Sequence, residues 1–226
     1  SYRFTSTPSR IYLLVGRDNT QSPSFTFRPV ANGFGATSSR FIRGEHEIYF
    51  ELEKELAEFC GFSRSLIFSS GYAANVGALS ALIKKGDVVF SDRLNHASII
   101  DGVRLSGAQV IIFDHLNVDD LKKKIAQNKN ARFLLTESLF SMDGDIAPLD
   151  KYAEISRSFD LALIVDESHA AGLYGKKGSG LISHFGVESQ TFLSIFGLGK
   201  AFGCLGGAVA ADGMVIEYIL QKARTL

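Results

Sequence analysis

The 226 residues predict an α/β domain: a mostly parallel sheet lying between helices. Three observations carry this. Seven short β-prone runs recur along the chain, they are apolar throughout rather than alternating, and helical spacing marks the segments between them. Runs without alternation indicate strands buried on both faces, as in a sheet covered by helices. Strands alternating with helical segments argue for mostly parallel pairing.

Taken in order, residues 1–44 mix Gly, Ser, Pro and aromatic residues, as in SPSFTFRPVANGFGATSSR, and read as an extended or irregular segment. From His46 to Cys60, Ile48, Leu52, Leu56 and Phe59 recur at helical spacing, with Glu51, Glu53, Lys54 and Glu55 at the other positions, which predicts an amphipathic helix. The strand runs are SLIF (65–68), DVVF (87–90), QVIIF (109–113), RFLLT (132–136), LALIV (161–165), TFLSIF (191–196) and GGAVAA (206–211). Between them YAANVGALSALIKK, HASIIDGVRLSG, VDDLKKKIAQN and LDKYAEISRSF read as helices. No domain boundary is visible within residues 45–215.

A hydrophobic share of 46% with 21% charged residues is that of a folded protein. The balance of 24 Lys+Arg against 24 Asp+Glu offers no basic excess for nucleic acid or anionic membrane. No apolar run reaches the roughly 20 residues that span a bilayer, and SYRFTSTPSR lacks the basic-then-apolar order of a secretory signal, so a soluble, cytoplasmic protein is expected. Cys60 and Cys204 lie far apart without metal-ligand spacing and are expected to be small buried residues.

Open α/β sheets bind ligands beyond the carboxyl ends of their strands, so the residues just after each run matter most. These are Ser69, Ser70, Gly71 and Tyr72; Asp92, Asn95 and His96; Glu137, Ser141 and Asp143; Asp166, Glu167 and His169; and Gly197, Gly199 and Lys200. Each has a plainer reading: Ser69 to Gly71 as a helix cap, Asp166 as a cap or ion pair, His96 and His169 as partners of nearby backbone. Lys200 sits among small and apolar residues in GLGKAFGCLGG, where an unpaired buried ammonium is unfavourable. No GxSxG, no Walker sequence and no GxGxxG is present, and no HExxH or similar pairing supports a metal site.

One chemistry uses all of these residues. A pyridoxal phosphate (PLP) site needs a lysine to attach the cofactor, a carboxylate for the pyridine nitrogen and a phosphate cradle at a helix start. It also gains from a flat group on the ring face and a donor to the ring oxygen. Lys200, Asp166, Gly71 with Tyr72, His96 and His169 fill those roles in turn.

Five motifs in order, FSSGYAAN (68–75), DRLNHASIIDG (92–102), ESLFSMDGDIAPL (137–149), VDESHAAGLYGKKGSG (165–180) and GKAFGCLGG (199–207), resemble the α-oxoamine synthases, fold-type I PLP enzymes of the aspartate aminotransferase-like fold. The resemblance covers about residues 45–226, and implies a PLP-binding large domain there, after the 1–44 segment, with the family's C-terminal small domain absent from this chain. It implies that Lys200 holds PLP and later serves as base at the amino acid's Cα, that Asp166 pairs with the pyridine N–H and that His169 bonds the ring oxygen. His96 would stack on the ring and touch substrate, Gly71 and Tyr72 would give backbone N–H groups to the phosphate, and Ser141 would lie against the cofactor. The implied partners are an amino acid, an acyl thioester carried by CoA or carrier protein, and a second copy of the chain. MDGDIAPL and GKAFG look most like the branch that condenses L-alanine with a pimeloyl thioester, whereas NHASIIDGVRLS is shared with the branch that acetylates glycine.

The chain departs from the family at Gly197, where a hydroxyl residue usually contacts the phosphate, leaving Ser194 as the nearest hydroxyl along the sequence. Tyr49 stands where a His is common, and the family's N-terminal substrate-binding segment is not recognisable in residues 1–40. A catalytically silent PLP-fold binding protein is the competing expectation. The presence of Lys200, Asp166, His96 and His169 together argues against it.

Overall fold

The computed structural model describes residue 40 and residues 47–226. The expectation for residues 1–44 therefore lies, apart from residue 40, outside the described residues. Two compact units are distinguished, residues 1–50 and 51–226. In the first, the Arg40 guanidinium carbon is 5.1 Å from the Tyr49 ring centroid.

The second unit carries a seven-stranded sheet. Its strands are β1 (Arg64–Phe68), β2 (Val88–Asp92), β3 (Gln109–Phe113), β4 (Ala131–Glu137), β5 (Ala162–Asp166), β6 (Thr191–Gly197) and β7 (Gly207–Ala211). They lie in the order β1-β7-β6-β5-β4-β2-β3, and only β7 runs against its neighbours. Each apolar run of the sequence is one of these strands.

Alternate residues of a strand face opposite sides of the sheet, and both sides are buried. Leu134, Leu163 and Val165 join a core with α4 (Val118–Gln127), α5 (Leu149–Phe159) and the short α6 (Leu181–Phe185). Phe133, Leu135, Ile164, Leu193 and Ile195 join the opposite core with α2 (Gly71–Leu82), α3 (Ala97–Ser106) and α7 (Gly213–Lys222). Leu56 and Cys60 of α1 (Glu47–Cys60) pack with Phe196, Ala208 and Ala210. Among the described residues no helix is long and apolar enough to cross a membrane.

Three expectations change. QVIIF is not buried on both faces: β3 is an edge strand, and Val110 and Ile112, on the side away from buried Phe113, are 42% and 53% exposed. Glu53 is not on a solvated helix face; it is buried, and its Oε1 accepts the Ile67 N–H at 2.9 Å, satisfying a donor that edge strand β1 turns away from β7. Cys204 is exposed, whereas Cys60 is buried as expected.

Candidate active site

The carboxyl ends of β1, β2, β4, β5 and β6 surround a cleft of about 330 Å³. Parallel register brings them together: Glu137 pairs with Asp166 across β4 and β5, while Phe68, Gly207 and Gly197 lie abreast across β1, β7 and β6. Gly71, Tyr72, His96, Asp166, His169 and Lys200 all line this cleft. Ser141 does not. Leu139 bridges Ile146, and this reverse turn carries Ser141 into solvent.

One wall is the start of α2. Ser70 is its N-cap, with Oγ accepting the Ala73 N–H at 3.0 Å, so the plainer reading of this serine holds. The cap leaves the amides of Gly71 and Tyr72 without intrahelical acceptors, at the positive end of the helix dipole. Close packing fixes this end: a Cβ on Gly207 would stand 2.5 Å from the Gly71 nitrogen and from the Ser70 carbonyl. The Tyr72 hydroxyl donates to Asp101 Oδ2 at 2.6 Å, tying α2 to α3, and that bond raises the phenol's pKa.

Asp166 forms the floor and is 6% exposed. Its Oδ2 accepts from Asn75 Nδ2 at 2.7 Å and its Oδ1 from the Ser168 N–H at 2.8 Å. Both donors are neutral, and no Lys or Arg among the described residues forms an ion pair with it. A buried carboxylate so placed favours a cationic N–H from a ligand. Asn75 Oδ1 is buried without a partner beside it.

Lys200 follows β6 in a loop closed by the Leu198 N–H to the Gly206 carbonyl at 2.9 Å and the Gly203 N–H to the Lys200 carbonyl at 3.0 Å. Its side chain is exposed, which corrects the expectation of a buried ammonium. What distinguishes it is geometry: Nζ lies 2.6 Å from His169 Nε2. Burial, then the Lys200 charge, lowers the His169 pKa, so neutral imidazole accepts from the ammonium.

His96 caps α3. Its Nδ1 accepts the Ser98 N–H at 3.2 Å and lies 2.7 Å from Ser98 Oγ. Its loop is braced twice to β4: Asn95 Oδ1 accepts the Glu137 N–H at 3.1 Å, and Glu137 Oε1 accepts the His96 N–H at 2.7 Å.

Asn75, Glu137 and Ser168 also line the cleft without having been assigned a role from sequence. Asn75 could have been found from its helical spacing, four residues after Gly71 on the same face. The contacts of Ser168 are set by strand register, which sequence spacing does not reveal. Ser194, the hydroxyl nearest Gly197 along the chain, is buried in β6; in space the neighbouring hydroxyl is Ser168, whose Oγ accepts the Gly197 N–H at 2.9 Å.

Burial, then the charge of Asp166, pushes the Glu137 pKa from 4.5 up to about 7. Burial likewise pushes Glu167, which accepts the Leu181 and Ile182 N–H groups, up to about 7. Both folded-state values exceed the unfolded one, so the folded protein binds these protons more tightly. The resulting stability is fully present below pH 4.5 and is lost as pH rises to about 7. Melting temperatures across that window should carry a declining contribution that Glu167→Gln reduces; an unchanged slope in the variant contradicts the assignment.

The aminotransferase class I and II family matches residues 18–226. A Lysinibacillus sphaericus 8-amino-7-oxononanoate synthase is 38% identical over 99% of this chain and 58% of its own length. A putative 8-amino-7-oxononanoate synthase of Methanococcus aeolicus is 47% identical over 85% of this chain and 51% of its own. Among solved structures, Sphingomonas wittichii serine palmitoyltransferase has a TM-score of 0.81 at 34% identity, covering 84% of this chain and 48% of that one. The 8-amino-7-oxononanoate synthase of Francisella tularensis has a TM-score of 0.68 at 36% identity, covering 78% and 51%. The chain thus spans about half to three fifths of the length of these relatives. The fold, the strand-end cleft and these likenesses agree: the chain belongs to the aminotransferase class I and II family, transferases whose cofactor is pyridoxal phosphate.

Proposed function

We propose that the protein is an 8-amino-7-oxononanoate synthase, a cytoplasmic homodimer serving biotin biosynthesis. It would condense L-alanine with a pimeloyl thioester of CoA or acyl carrier protein. A bond forms between the alanine Cα and the thioester carbonyl carbon, the C–S bond breaks to release the thiol, and the alanine carboxylate leaves as CO2. The observation that carries this reading is Lys200, paired with His169, in one cleft with buried Asp166. The names and identities of the relatives support the choice of substrates.

The cleft fits the cofactor. Gly71 and Tyr72 offer amides to its phosphate at a helix start that glycines hold without room for a Cβ. Asp166 offers a buried anion to the protonated ring nitrogen. His169 offers its imidazole to the ring oxygen, and His96 lies at the cleft from the β2 side as the group for the ring face and substrate. The bound cofactor supplies an electron-accepting ring that stabilises negative charge developing at the substrate Cα.

Lys200 attaches the cofactor and later takes the Cα proton at Nζ. Neutral His169 stabilises its ammonium form, as the 2.6 Å contact already does. Asp166 keeps the ring nitrogen positive, which makes it as necessary as the lysine.

Solved serine palmitoyltransferases at 32–34% identity favour a second reading within the same chemistry, another α-oxoamine synthase, and the NHASIIDGVRLS run favours glycine C-acetyltransferase among these. Turnover by the intact protein separates them. Alanine with pimeloyl thioester is expected to outperform glycine with acetyl-CoA and serine with palmitoyl-CoA; the reverse order overturns the assignment, and no turnover with any pair, together with no PLP binding, favours the silent protein.

A further inference from the structure

We propose that the Ser168 hydroxyl is a phosphate ligand of the cofactor, placed on β5's loop in a wall that Gly197 and Gly71 leave open. The inference rests on the PLP reading above and adds a residue to it. Ser168 is 9% exposed and lines the cleft. Its Oγ accepts the Gly197 N–H at 2.9 Å, and its own proton finds no acceptor among the described residues. A buried hydroxyl proton without an acceptor is unfavourable, and an anionic oxygen would satisfy it.

The surroundings point to the same ligand. The hydroxyl oxygen lies 3.8 Å from where a Cβ on Gly71 would stand, which puts it beside the first residue of α2. There the Gly71 and Tyr72 amides lack intrahelical acceptors and the helix dipole favours negative charge. Two backbone N–H groups and one hydroxyl thus share the wall. A Cβ on Gly197 would lie 3.5 Å from Oγ, so a side chain at 197 would occupy the space beside the Ser168 hydroxyl. Glycine at 197 and serine at 168 are in this sense one arrangement: the hydroxyl comes from β5's loop rather than from the end of β6.

The test measures binding rather than turnover, titrating the intact protein with PLP and with pyridoxal, which has no phosphate. Ser168→Ala should weaken PLP binding about tenfold or more, the loss of a hydrogen bond to a charged group, and leave pyridoxal binding unchanged. Adding Gly197→Thr to that variant returns a hydroxyl to the same wall and should recover PLP affinity. Wild-type PLP affinity in Ser168→Ala, or an equal loss for PLP and pyridoxal, overturns the role of Ser168 while leaving the PLP reading intact. A wild-type protein that binds no PLP overturns both.

Discussion

Replacing Lys200 with alanine should abolish covalent retention of PLP and lower turnover about 1,000-fold or more, because attachment and proton transfer at Cα are lost together. Borohydride reduction of the loaded wild-type protein should fix the cofactor's mass on the peptide containing Lys200, and the variant should carry none. The expectation follows from geometry more than from local sequence. Among the described residues Lys200 is the one Lys or Arg lining the cleft, and its Nζ is 2.6 Å from His169. Cofactor fixed on another lysine, or activity retained in the variant, would remove Lys200 from the mechanism. His169 should also titrate higher in the variant, since the Lys200 charge is the second cause holding its pKa down.

Asp166→Asn should lower kcat about 100- to 1,000-fold, the usual scale for deleting one fixed charge aimed at a reacting system. Asparagine keeps the shape and its one oxygen can still accept the Ser168 N–H, while its amide nitrogen can donate to Asn75 Oδ1 once the Asn75 amide turns over, so the loss reports chiefly on the carboxylate's charge. Burial explains why the effect should be large: a charge that is 6% exposed is little screened by water, and its contacts are neutral donors that cannot replace it. PLP should still bind through its phosphate end. A kcat within about tenfold of wild type would show that the ring nitrogen does not depend on Asp166.

These two residues illustrate what could be read from the chain. Asp166 directly follows one apolar run and Lys200 closely follows another, so the rule that ligands gather at strand carboxyl ends singles them out from the sequence. The same rule picks out Ser141, which the structure places in solvent, outside the residues that line the cleft. A β-bridge between Leu139 and Ile146 turns the chain away from the sheet within a few residues, a long-range event with no periodic signature. Lys200 is exposed despite its small and apolar sequence neighbours, because such neighbours do not enclose a side chain unless other segments fold over it. QVIIF misled for a related reason: an edge position is a property of strand order, and strand order is decided by packing among distant segments.

The sequence by itself determined the seven strands, the helices between β1 and β5, and eleven of the residues that line the cleft, six of them with an assigned role, because periodicity and strand-end position are local properties of the chain. The tertiary structure alone decided which side chains face one another: Nζ of Lys200 against His169, Asn75 on Asp166, the double brace of His96 to β4, and Ser168 beside Gly197. Each of these pairs joins residues 29 to 91 positions apart. Their distances follow from sheet register and from glycine contacts that let backbones approach, and neither is written in the spacing of residues along one strand or helix.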